Sequence, residues 1–254
     1  MDTTEQTAPV FRPIVLIPVY NHGQTLPAVV AEVRRLRLPC LLVDDGSDMP
    51  CAGVIERLAR QDGVLRLRLC RNRGKGAAVT FGLLAAFSAG YSHALQIDAD
   101  GQHDLSVIPP FLVASKRHPD ALIGGVPHYQ QDAPKSRLYG RWVMRIWVWI
   151  NSLSKAIPDA MCGFRVYPLK STAPLLRQAW LGERMDFDPE ILVRLAWQDV
   201  PMRWLKVTVR YPEDGVSHFR LWRDNLLISW MHTRLFFGML IRAPRLLWRR
   251  WQAR

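Results

Sequence analysis

Short apolar runs alternate with amphipathic stretches through the first hundred residues. Pro13–Tyr20 (PIVLIPVY) is a β-rich apolar run closed by Asn21-His22-Gly23, which predicts a buried strand and a turn. From Thr25 to Leu38 the positions Leu26, Val29, Val30, Val33 and Leu36 recur at helical spacing, and Pro39 stops the helix. The same reading predicts strands over Cys40–Val43, Val64–Cys70 and Ala94–Ile97, with helices over Ala52–Arg60 and Gly76–Gly90. Strands and helices alternating at this spacing predict an α/β domain on a parallel, doubly wound sheet. Ligands of such sheets sit beyond the carboxyl ends of the strands. Polar clusters follow Val19, Val43 and Ile97, at three of those ends.

The pattern changes in 134–156 and 219–254, where Arg and Trp interrupt Leu, Ile and Met. The chain has 34 Lys and Arg against 22 Asp and Glu, a formal charge of +12. The whole excess lies in these two segments, with seven of the ten Trp. Arg and Trp on apolar segments suit a phospholipid interface. Core helices with basic outer faces are the competing reading. A nucleic-acid surface would tolerate far fewer exposed Leu, Ile and Met. Leu226–Ile241 is interrupted by His232 and Arg234 and falls short of the roughly 20 apolar residues of a spanning helix. Segment 138–151 is shorter and holds two Arg. Both predict amphipathic helices in the plane of the interface, unless they pack as a buried pair. The polar start, Met1 to Val10, predicts no cleaved secretory signal. Four cysteines without C-x-x-C spacing suit a reduced, cytoplasmic setting.

Candidate chemistry sits in the polar clusters. Asp98-Ala99-Asp100 puts two carboxylates in one turn, a repulsive arrangement that a hard cation relieves. Mg²⁺ or Mn²⁺ would take such oxygens, with Gln102 and substrate phosphates completing the shell. An ordinary acidic turn is the alternative. Asp44-Asp45-Gly46-Ser47 reads as turn chemistry, or as carboxylates accepting bonds from a nucleobase or ribose. Asn72–Ala78 (NRGKGAA) matches neither named phosphate-binding glycine motif. A turn with close helix packing accounts for its glycines, and Lys75 remains a candidate for a diphosphate. Asp188-Pro189 suits a helix N-cap followed by Pro at the first helical position. Cys162 reads as a small packed residue. His103 follows the acidic turn, either as a neighbour of the metal or as a solvated loop residue.

Taken together, IPVYN (17–21), VDDGS (43–47), NRGKGAA (72–78), DADGQH (98–103), CGFRVY (162–167) and RYPEDGVSHF (210–219) resemble family 2 glycosyltransferases. The branch most resembled is that of dolichol-phosphate mannose synthase. The resemblance implies the GT-A fold, a Rossmann-like mixed sheet flanked by helices, here with C-terminal amphipathic helices. It implies a nucleotide-sugar donor, a divalent cation and transfer with inversion. Pro18, Tyr20, Val43 and Asp45 fall at nucleotide-contacting positions of that branch, and Asn21 stands where it often has Glu. Asp98, Ala99, Asp100 and Gln102 match the metal and diphosphate turn. Arg210 matches a donor-diphosphate Arg, and His218 replaces a common Lys. In hydroxyl-transferring relatives the position of Asp188 is taken as the base. Arg137, Arg141 and Arg165 are candidates for an acceptor phosphate or lipid headgroup. The expected organisation is a GT-A domain over 10–219, an interfacial insert at about 134–157 and a basic membrane-associating tail over 220–254. The expected setting is peripheral, on the cytoplasmic face of a membrane, with a lipid-borne acceptor and no nucleic acid. A catalytically silent nucleotide- or lipid-binding module is the rival from another class.

Overall fold

A computed structural model describes residues 10–129, 135–209 and 221–252. Its strands are β1 (Pro13–Val19), β2 (Cys40–Asp44), β3 (Val64–Arg68), β4 (His93–Gln96), β5 (Leu122–Tyr129), β6 (Arg165–Pro168) and β7 (Met202–Val209). Its α-helices are α1 (Leu26–Arg35), α2 (Cys51–Leu58), α3 (Lys75–Ser88), α4 (Ile108–Arg117), α5 (Lys135–Ser152), α6 (Leu169–Gln178), α7 (Phe187–Trp197) and α8 (Leu221–Gln252). The strands form one sheet in the order β3-β2-β1-β4-β6-β5-β7. Only β6 runs against its neighbours, so the sheet is mixed, as the family resemblance implied, rather than wholly parallel.

Two apolar layers cover the sheet. One joins α1, α2 and α4 to it through Val29, Val33, Ile55 and Phe111. The other carries α3, α6 and α7 and continues into α5 and α8 through Met144, Val148, Met231, Leu235, Met239 and Leu246. Each of the two basic segments packs one face into the core, as the core-helix reading expected. Their inner faces are core. Their outer faces leave Trp142, Trp147, Trp222, Trp230, Ile241, Trp248 and Trp251 exposed. No described helix is long and apolar enough to cross a membrane.

Candidate active site

The sheet opens where its order reverses. β1 lies between β2 and β4, so β2 and β3 build outward on one side and β4 on the other. The β1–β4 ladder runs from Pro13 to Leu16, whose carbonyl accepts from Ile97 N at 3.0 Å. Pro18 has no N–H with which to continue it, so the strands part at their carboxyl ends. Ligands of open α/β sheets bind at such a switch point. Pro18 and Val43 are themselves buried among sheet residues, and Tyr20 is half-buried at the rim. Three loops converge there. Thr25 Oγ1 donates to Ala99 O at 2.6 Å, fixing the acidic turn to the start of α1. Asn21 adopts a left-handed φ of 57°, tolerable for Asn. Its backbone donates to Ser47 Oγ, and its amide both donates to and accepts from Asp48.

The paired aspartates of the second loop spend their oxygens inside the protein. Asp44 accepts from Ser47 N at 2.7 Å and pairs with Arg68 at 2.8 Å. With no exposed surface, it braces its loop rather than presenting a free oxygen to a nucleotide. Asp45 accepts from Arg73 N and Gly74 N at 2.8 and 2.7 Å, tying the second loop to the start of α3. Burial pushes its carboxyl up, against those two N–H donors. Gly74 has φ 116°, and an added Cβ would lie 2.5 Å from Glu183 O. The glycines of this motif serve a turn and close packing, as expected.

At the centre, Lys75, the first residue of α3, lies between two carboxylates. Its Nζ is 2.8 Å from Asp98 Oδ1 and 3.3 Å from Asp188 Oδ2. Asp188 Oδ1 in turn lies 3.3 Å from Arg165 Nη1. Arg165 donates to Asp188 O, Ala160 O and Tyr167 Oη, and Tyr167 donates to Gln96 Oε1. Burial opposes the Lys75 ammonium, but Asp188 and Asp98 outweigh it and hold its pKa well above the ordinary value. Burial also opposes the Asp98 carboxylate; Lys75 and then His103 overcome that and lower its pKa. Asp100 is pushed up, first by burial and then by repulsion from Asp98. A Cβ on Gly163 would come within 2.7–2.8 Å of both Asp98 oxygens and Lys75 Nζ. The pair fits only because that position has no side chain.

Two sequence expectations are corrected here. Asp188 is not an N-cap: the cap position is Asp186, and Asp188 lies in the first turn of α7. Its partners are cations, not orphan helix N–H groups. Arg165 is not a surface contact for lipid or acceptor, since its side chain is 1% exposed and its Nη atoms donate within the core to Asp188 O and Ala160 O. Arg141 does reach the site's edge. It donates to Asp159 Oδ2 at 2.6 Å, while Asp159 Oδ1 holds the backbone of Met161 and Cys162 just before Gly163. Arg137 lies one turn earlier in α5. Arg210 and His218 lie outside the described residues. The strand before them ends at Val209, which bridges to His103 beside the acidic turn. Burial holds the His103 pKa below its ordinary value, despite Asp98 and Asp100. It pushes the Cys162 thiol up to about 12, in keeping with a packed residue.

Sequence reading missed Gln96 and Tyr167, and with them the polar chain running from the acidic turn into the core. The available signal was Arg165-Val166-Tyr167, a charged and a phenolic residue inside a short strand that is buried throughout. Among the described residues, no three His, Cys, Asp or Glu converge as a self-sufficient cation cage. Asp98 and Asp100 supply two hard oxygen donors, and Gln102 N donates to Asp100 Oδ1 at 3.0 Å. Two carboxylates suit a divalent ion whose remaining ligands are substrate phosphates and water. The donor set fits.

The family model for glycosyl transferase family 2 matches residues 14–174. A dolichyl-phosphate beta-glucosyltransferase of Drosophila melanogaster is 28% identical over 84% of this chain and 73% of its own length. A polyprenol monophosphomannose synthase of Mycolicibacterium smegmatis is 29% identical over 63% of this chain and 62% of its own. A mannosyltransferase from Pyrobaculum calidifontis, solved in complex with GDP-Man and Mn²⁺, superposes with a TM-score of 0.58. That likeness covers 91% of this chain and 64% of the other at 16% identity.

Proposed function

Because the chain belongs to glycosyl transferase family 2, we propose that it moves a sugar from a nucleotide-sugar donor to a polyprenyl-phosphate-like lipid, with inversion at the anomeric carbon. The observation that carries the acceptor choice is the state of Asp188. Its carboxylate is held between Lys75 and Arg165 and is almost wholly buried. A hydroxyl acceptor needs a group free to take its proton; a phosphate acceptor is already anionic and needs none. The two relatives whose names carry a dolichyl phosphate and a polyprenol monophosphate support the same choice.

Asp98 and Asp100 would hold the divalent cation together with the donor diphosphate, where it supplies positive charge against the leaving group. Lys75 balances Asp98 from the protein side, so an acidic turn can face an anionic donor. The loops of Tyr20–Asn21 and Asp44–Ser47 shape the nucleotide end of the cleft. By the family resemblance, Arg210 and His218 would serve the donor diphosphate. Arg141 orders the 159–163 loop at the margin from which the acceptor arrives. The exposed Trp and Ile of α5 and α8 would rest on the cytoplasmic face of a membrane, where a water-soluble donor meets a lipid acceptor.

The test offers a panel of labelled nucleotide-sugars to the full chain with polyprenyl phosphate in vesicles. Label should pass to the lipid only with the phosphorylated polyprenol and only with Mg²⁺ or Mn²⁺ present. Asp100→Asn should abolish transfer while leaving the melting temperature near wild type. Equal transfer to unphosphorylated polyprenol would overturn the acceptor. Full activity in excess EDTA would overturn the cation.

A further inference from the structure

A second basic feature lies at the far end of α7 from Asp188. The ends of α6 and α7 and the middle of α8 enclose a groove of about 710 Å³. Trp180, Arg194, Trp197, Arg234, Arg242 and Arg245 line it. Its charge is poorly balanced. Glu190, fully buried, serves both Arg194 and Arg234, at 2.8 and 3.0 Å. Arg242 lies over the Trp197 ring, 4.7 Å from its centroid, and donates to Gly238 O. Arg245 has no charged or hydrogen-bonding partner among the described residues. Of the four guanidinium groups, two pair with Glu190, and Arg242 and Arg245 have no carboxylate partner among the described residues. Helix-end capping accounts for only part of this. Arg194 donates to Trp180 O, and Arg249, paired with Asp199, donates to Trp197 O. Arg242 and Arg245 do neither.

The groove is preformed. Gly238 lets α8 seat against Trp197 so closely that a Cβ there would lie 2.8 Å from the ring. Arg234 is stacked over Trp180 at 4.4 Å. The groove also shares an edge with the outer face of α8. Residues three or four apart are neighbours on a helix. Trp230 therefore adjoins Arg234, while Ile241 and Trp248 adjoin Arg245. All three apolar neighbours are exposed, Ile241 to 80%. With that stripe at the acyl boundary, the arginines lie at headgroup level.

We propose that this groove binds the phosphate of an anionic membrane lipid, at a site separate from the donor and acceptor centre. Guanidinium groups recognise phosphate by paired hydrogen bonds, and flanking Trp suits the interface. The inference rests on the membrane-facing reading of α8 and not on the transfer chemistry, so the test reads binding alone.

The test compares full-length wild type with an Arg242→Gln/Arg245→Gln variant. Each is co-sedimented with phosphatidylcholine vesicles, with or without phosphatidylglycerol. The variant leaves the buried Glu190 pairs intact, and unchanged melting temperatures confirm folding. An Arg57→Gln/Arg60→Gln variant, altered at exposed positions of and just beyond α2, removes the same charge elsewhere. Binding to the phosphatidylglycerol vesicles should weaken about fivefold per arginine, close to 30-fold for the groove pair. It should change less than about twofold for the α2 pair, which lies in the other apolar layer from α8. Lys at both groove positions should restore part of the loss. Equal losses in the two variants, or none in the groove variant, would overturn the site. A third arm adds inorganic phosphate in a thermal melt. Stabilisation that needs Arg242 and Arg245, with vesicle binding indifferent to them, would overturn the lipid assignment in favour of a soluble phosphate.

Discussion

Lys75 and Asp188 each compensate more than one partner, so single substitutions reach across the whole centre. Arg165 is buried with Asp188 as its countercharge, and removing one member of a buried pair leaves the other uncompensated. Asp188→Asn should therefore cost stability, on the order of 3 kcal/mol in a urea melt. A residue that acted only as an exposed base would lose rate and leave the melt unchanged, and that result would contradict a structural role for the Asp188 pairs with Lys75 and Arg165. Gly163→Ala separates geometry from stability. The atoms its Cβ would meet are side-chain ends, the Asp98 carboxylate and the Lys75 ammonium, so the backbone need not move. The melting temperature should stay near wild type while transfer falls by about 100-fold, the usual cost of displacing a reacting constellation by an ångström. Wild-type rates for Gly163→Ala would show that the Lys75–Asp98 contact does not position the donor.

At the scale of elements, the contact of α5 with α8 carries a pH dependence. His232 on α8 stacks against Trp147 at 5.7 Å, with Asn151 and Met144 at its two ring nitrogens. Burial lowers its pKa from 6.5 to about 4. The neutral ring is thus favoured in the folded chain, and this contribution is complete above pH 6.5. It should be lost as pH falls from 6.5 towards 4, because the unfolded chain takes up the proton first. Thermal melts across that window should fall more steeply for wild type than for His232→Gln. Parallel curves would mean that the ring is hydrated. The helical character of both segments was legible in their spacing. Which residues faced inward was not, since Arg and Trp suit a lipid surface and a basic outer face equally. β5, β6 and β7 were not read from periodicity at all. β6 spans four residues and is buried throughout, so it carries no alternation from which a strand is recognised.

The whole molecule unites these helices with the catalytic layer, and that changes how membrane association is tested. Removing 220–254 would strip Met231, Leu235, Met239 and Leu246 from a core shared with α3 and α7. Losses of about 2–5 kcal/mol for each such side chain exceed what a domain of this size withstands. The truncated chain should fail to fold. Ile241→Ser with Trp248→Ser instead changes only exposed positions. It should keep the melting temperature within a few degrees and lower vesicle binding by about 100-fold in high salt, where apolar insertion dominates. Unaltered binding in high salt would show that these two side chains do not insert into the bilayer.

The sequence by itself determined the early strands and helices, the positions of the polar loops at strand ends, and the family through its ordered motifs. Those features follow from neighbours within a few positions, where the periods of strand and helix and the stops at Pro and Gly operate. Tertiary structure alone decided that Lys75, Asp98, Asp188 and Arg165 form one charged chain, that Asp44 turns inward, and that Glu190 must serve two arginines. Each depends on which distant segments meet. Sheet order and helix packing set that, and a residue type reveals its role only when the charges it must satisfy lie beside it.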